Sequence, residues 1–107
     1  VNKSQLKVQL IQNIDRKLPL EDIAQSQGKT FDDLLLEIET VVSSGTRVDI
    51  NYYLNDVLDE DSQDEVFDYF NEAETDDIID AYKEFDGLYS EEELRLMRIR
   101  FMSEVAN

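Results

Sequence analysis

Gly28-Lys29-Thr30 carries the closing residues of a phosphate-binding loop, in which backbone amides cradle the phosphates and the lysine reaches them. Such a loop also needs a glycine five residues before Gly28, where Ile23 stands, and a strand leading into it. The triplet therefore reads as a helix stop followed by a helix cap. Asp59, Asp61 and Gln63 fall at the first three ligand positions of an EF-hand calcium loop. The glycine and the closing glutamate of that loop are replaced by Asp64 and Phe70, so specific calcium binding is not expected. Val57-Leu58-Asp59-Glu60 imitates the acidic magnesium pair of an ATPase but has no phosphate loop to serve. Carboxylate pairs suited to acid/base work are frequent because 26 of the 107 residues are Asp or Glu, and solvated helix faces account for them. The chain has no Cys and no His, which removes thiolate sites, disulfides and the commonest general base and metal ligand. No catalytic, cofactor-binding or metal-ligating residue is assigned.

With 10 Lys+Arg, the formal net charge is -16, while 41% hydrophobic residues suffice for a packed core. No apolar run approaches the ~18 residues of a membrane span, and no signal peptide is present, so a cytoplasmic location is expected. The chain starts at Val1 rather than Met, as a piece cut from a longer protein would.

The elements are helical. One Pro and three Gly are too few for the turns of an all-β domain. Leu6, Leu10, Ile11, Ile14 and Leu18 recur at helical spacing over residues 4–17. Pro19 opens a second helix bearing Leu20, Ile23 and Ala24, and Gly28 closes it. Thr30 with Asp33 starts a third, whose stripe is Phe31, Leu34, Leu35, Ile38, Val41 and Val42, with Gly45 as its stop. Residues 46–50 alternate as a short strand or extended linker without a partner strand, so a β-wing is doubtful. Four shorter helices follow. Their expected caps are Asn51, Ser62 with Glu65, Thr75, and Ser90 with Glu93; Gly87 terminates the third of them. The last helix carries Leu94, Met97, Phe101 and Val105.

Charge divides the chain near residue 50. Residues 1–50 hold 6 Lys/Arg and 8 Asp/Glu, whereas residues 51–107 hold 4 and 18. The expectation is an all-α fold with two regions: a three-helix unit over residues 1–50 that is winged-helix-like, and an acidic helical extension over residues 51–107. Ala24, Gly28, Leu34 and Ile38 have the spacing of a helix-turn-helix, with a small residue at the crossing and a glycine in the turn.

The chemistry of that motif opposes DNA recognition. A reading helix offers Arg, Lys, Asn or Gln to bases and phosphates. The third helix offers Asp32, Asp33, Glu37 and Glu39, with no Lys or Arg between Thr30 and Ser44. An acidic helix facing a polyanion is repelled. Lys29 and Arg47 flank it, and Arg95, Arg98 and Arg100 stand out in the acidic half. These five are the candidate contacts for a partner or for DNA, against the plainer reading that they neutralise neighbouring acids, as Glu91–Arg95 and Arg100–Glu104 pairs would. Tyr52, Tyr53, Tyr69, Tyr82 and Tyr89 could stack bases but suit core and rim positions better.

Leu18-Pro19-Leu20-Glu21-Asp22-Ile23-Ala24 and Leu35-Leu36-Glu37-Ile38-Glu39-Thr40-Val41-Val42-Ser43-Ser44-Gly45-Thr46 resemble the helix-turn-helix module at the C-terminus of some bacterial RecQ-type DNA helicases. Tyr52-Tyr53-Leu54-Asn55-Asp56-Val57-Leu58-Asp59-Glu60-Asp61-Ser62-Gln63 is similar to the same tails. So are Glu72-Ala73-Glu74-Thr75 and Tyr89-Ser90-Glu91-Glu92-Glu93-Leu94-Arg95-Leu96-Met97-Arg98. The resemblance implies a parent enzyme that unwinds DNA 3′ to 5′ with ATP in repair and recombination, using ATP, Mg and Zn held in other domains. For this chain it implies a non-catalytic accessory domain, regulatory or protein-docking, that meets the parent's domains or a basic protein surface and leaves DNA to the parent. A DNA-binding helix-turn-helix and a free-standing acidic DNA mimic are the rival expectations.

Overall fold

A computed structural model describes residues 3–106, and among them every regular element is a helix, with no strand. In α1 (Lys3–Asp15) Leu10 and Ile14 are buried against the core, with Ile11 partly so. The chain leaves α1 through Lys17, a non-glycine residue at φ +60°, where the amides of Lys17 and Leu18 bond back to the carbonyls of Ile14 and Asn13. Pro19 then leads into α2 (Leu20–Ser26), which buries Leu20, Ile23 and Ala24 and packs on α3 (Phe31–Ser43). Gly28, at φ +67°, makes the turn between them. A Cβ there would meet no atom within 4 Å, so the requirement for glycine is conformational rather than spatial. The Thr30 hydroxyl accepts the Asp33 amide at 3.1 Å and caps α3. Leu34, Leu35, Ile38, Val41 and Val42 form the inner stripe of α3 as the periodicity requires.

Residues 46–50 form no regular element, with Val48 and Ile50 buried and Arg47 and Asp49 exposed, and they pair with no strand. Three expected caps are displaced. Asp49, not Asn51, serves the start of α4 (Asn51–Val57), its carboxylate accepting the Asn51 amide at 2.9 Å. Asp59, not Ser62, caps α5 (Glu60–Glu72), and Asp77, not Thr75, caps α6 (Ile78–Glu84). In each case an acid lies nearby in sequence and brings its own oxygen to the orphan amides of the first turn. Asp86, at φ +52°, takes the left-handed step that ends α6, with Gly87 following at φ +76°.

The reciprocal bonds of Ser90 and Glu93 open α7 (Glu91–Phe101), Ser90 Oγ accepting the Glu93 amide and Glu93 Oε1 accepting the Ser90 amide. This last helix is the centre of the molecule and packs against α3, α4, α5 and α6. Leu94 and Met97 are buried as expected, but so are Leu96 and Ile99 on other sides of the helix. A helix surrounded by others buries more than one stripe. After Phe101 the chain widens into a π turn, Met102–Ala106, in which Ser103 is buried and Val105, expected inside, is half exposed. Phe67, Phe70 and Phe101 pack together, and Tyr69, Phe85 and Tyr89 extend this aromatic layer beneath α6. The radius of gyration, 13.6 Å, is close to the ~13 Å of a packed chain of this length.

Candidate functional site

The turn at Gly28 and the cap at Thr30 aim α3 so that Asp32, Asp33, Leu36 and Thr40 face solvent. Asp32 and Asp33 sit in the first helical turn, where the macrodipole favours negative charge. Glu37 and Glu39 lie further along and are each engaged by a cation. The Lys29 ammonium, at the entrance to α3, is ion-paired with Glu37. Glu39 receives a guanidinium on each carboxylate oxygen: Arg95 Nη2 donates to Oε1 at 2.8 Å, and Arg98 Nη2 donates to Oε2. Arg95 also comes within 3.6 Å of Asp32, and Arg98 Nη1 donates to the Asp76 carbonyl at 3.1 Å. The Glu39 side chain keeps only 12% of its exposure, so this junction is shielded from solvent and its hydrogen bonds are charge-assisted.

Arg95 thus turns across to α3 instead of along its own helix to Glu91, which corrects the local pairing expected from spacing. Arg100 makes the expected pair with Glu104, at 2.9 Å. It also donates to Gln63 Oε1 at 3.1 Å and stacks over Phe67 with its guanidinium carbon 4.9 Å from the ring centre. Arg47 is exposed between α3 and α4 and lines an open hollow with Asp15, Asp49, Arg100, Ser103 and Glu104. The five candidate cations therefore occupy three places. Arg95 and Arg98 meet at Glu39, Lys29 lies at the turn, and Arg47 and Arg100 share the hollow beside Val48 and Asp49.

Tyr52, Tyr53 and Tyr89 are anchors rather than members of a stacking row. Tyr53 donates to Glu21 on α2 and Tyr52 donates to the Leu18 carbonyl, tying α4 to α2 and to the turn that precedes it. Burial, assisted by Asp49 and Glu21, pushes the Tyr52 phenol up to about 12, and burial and the bond to Glu21 push Tyr53 further up. Tyr89 donates to Glu65 at 3.0 Å, and burial raises its pKa. Among the described residues no cluster of three or more Asp or Glu converges as a metal cage. Asp59 is held below the usual carboxylate range by the hydrogen bonds from Ser62 that make it a cap.

Three contributors escaped the sequence. Glu39 was visible only as one acid among many, and its partners lie 56 and 59 residues away. Gln63, buried, donates its amide to Asn55 Oδ1 and to the Leu58 carbonyl, both at 3.0 Å. Ser103 bonds both backbone groups of Val48. None has a local pattern that announces it.

Among the described residues these elements define an all-α helix-turn-helix without a β-wing, joined to further helices through α7. Residues 4–54 match the family model described as RecQ-1-like, helix-turn-helix domain, and this segment is similar to that domain. No curated protein matches the chain.

Proposed function

We propose that the chain is a non-catalytic, protein-docking or regulatory module of a RecQ-like 3′–5′ ATP-dependent DNA helicase that acts in DNA repair and recombination in the cytoplasm. Residues 1–50 supply the helix-turn-helix and residues 51–107 its acidic extension. The reading is carried by one observation: Lys29, Arg95, Arg98 and Arg100 are all engaged by acids of this same chain. The outward side of α3 is left with Asp32 and Asp33 beside the exposed Leu36, a surface that disfavours phosphates and favours a basic protein surface, in the parent's own domains or elsewhere. DNA is then held by the parent enzyme. ATP, magnesium and zinc belong to other domains of that parent. This chain lacks the Cys and His of a zinc site, and Ile23 replaces the glycine of a phosphate loop.

The test compares the parent helicase with and without residues 1–107. The expected result is retained ATP hydrolysis with altered unwinding or altered association with a protein partner. Unchanged unwinding, DNA affinity and partner association together would overturn the proposal.

A further inference from the structure

The outward side of α4 is the floor of a polar groove. Three open hollows of about 280, 490 and 430 Å³ adjoin one another there, because Asn51 lines all three and Asn55 lines two of them. One wall is the exit of α1, with Asp15 and Lys17. The other is the start of α5, with Glu60, Gln63 and Asp64, and the end of α7, with Arg100. Asn51 and Asn55 are four residues apart and neighbours on the helix surface. Gln63 is fixed by the bond its amide gives to the Leu58 carbonyl and by the bond its oxygen accepts from Arg100. Its amide also donates to Asn55 Oδ1 at 3.0 Å, which holds that carboxamide by its oxygen and leaves its NH2 to the groove. The Asn51 backbone amide is taken by Asp49, and no hydrogen bond among the described residues takes the Asn51 carboxamide.

A carboxamide carries the same donor and acceptor as a peptide unit, and an extended backbone has both to give, whereas a helix has spent them internally. Charge selects the side chains. The groove carries six carboxylates, Asp15, Asp49, Asp59, Glu60, Asp64 and Glu104, against Lys17, Arg47 and Arg100. Arg100 is already paired with Glu104. Nucleic acid, anionic lipid and a second copy of this chain, at -16, are repelled. We propose that this groove holds an extended Lys/Arg-bearing segment of a partner protein. The Asn51 and Asn55 carboxamides bond its backbone, and Asp15, Glu60 and Asp64 meet its cations. The inference rests on the protein-docking reading and adds a site and a partner conformation to it.

The test uses the full chain and a fluorescein-labelled peptide of about nine residues that alternates Lys with Thr, a β-branched residue that favours the extended form. A second peptide has the same side chains on N-methylated backbone nitrogens, and a third has Glu for Lys. Binding is read by anisotropy at ~0.15 M salt. The first peptide should bind and the Glu peptide should not. N-methylation should weaken binding about tenfold, and Asn51→Ala about fivefold. Asp15→Asn with Asp64→Asn should weaken it about fivefold and flatten its salt dependence. Asp15 and Asp64 are exposed and the Asn51 carboxamide has no partner to lose, so the melting temperature should not move. Absence of binding overturns the groove. So does binding that neither N-methylation nor Asn51→Ala weakens, since diffuse charge attraction then accounts for it. Binding of duplex DNA or anionic vesicles that is lost with Asn51→Ala overturns the partner class. Peptide binding is read on the isolated chain, whereas the helicase reading is tested by deletion in the parent, so either can fail alone.

Discussion

Ser103 stands where a partner strand would be for Val48. Its hydroxyl donates to the Val48 carbonyl at 2.8 Å and accepts the Val48 amide at 2.9 Å, so one side chain satisfies both backbone groups of a buried residue. The segment that would form a wing hairpin in a winged helix is held here by the π turn that follows α7. Ser103→Ala leaves a donor and an acceptor unpaired in the interior and should cost about 2 kcal/mol, within the usual range for such orphans. Urea unfolding of the two proteins checks this. A difference below about 0.5 kcal/mol would show that water replaces the hydroxyl without loss.

Glu39 joins the helix-turn-helix to the centre of the fold. Glu39→Gln keeps the shape but leaves one guanidinium facing an amide N–H and removes the charge between two cations. The junction is largely shielded, so a loss of about 2–3 kcal/mol is expected, somewhat below that for breaking a fully buried pair. A double-mutant cycle with Arg98→Met should give a coupling above about 1 kcal/mol. A coupling under ~0.5 kcal/mol, typical of exposed pairs, would remove the junction from the account of stability.

The phenols set a limit at high pH. Tyr52 titrates at about 12 in the folded chain against an ordinary value of 10.0, and Tyr53, Tyr69 and Tyr89 are also raised. A raised pKa means that the protonated phenol is favoured by folding. Its contribution is complete below pH ~10 and is lost as pH climbs through the folded value near 12. Melting temperature should therefore fall across that window, and the fall should be shallower for Tyr52→Phe. Absorbance of phenolate at the ordinary tyrosine pKa for all five residues would contradict this.

Much of the fold was legible because the signals were local. Gly28 and Thr30 announced the turn and the start of α3, and Ser90 with Glu93 announced α7. The caps at Asn51, Ser62 and Thr75 were misplaced because this chain offers several acceptor oxygens within a few residues of each start. Packing chooses among them: capping at Asp59 is what lets Gln63, Val66 and Phe70 point inward. The centrality of α7 was hidden because periodicity finds one apolar stripe, whereas Leu96 and Ile99 lie outside it. The five cations stood out by composition, but their assignment needed contacts such as Arg98 with Glu39, which no local spacing encodes.

Although placed like a reading helix, α3 exposes Asp32 and Asp33, and the proposed docking role requires that it leave DNA to the parent enzyme. Anisotropy of a labelled forked DNA, titrated with the intact chain at ~0.15 M salt, measures this directly. The account predicts no saturable binding through tens of micromolar, roughly the range where non-specific DNA-binding proteins already associate. Saturable micromolar binding that weakens steeply with salt and is lost with Arg47→Ala would contradict it.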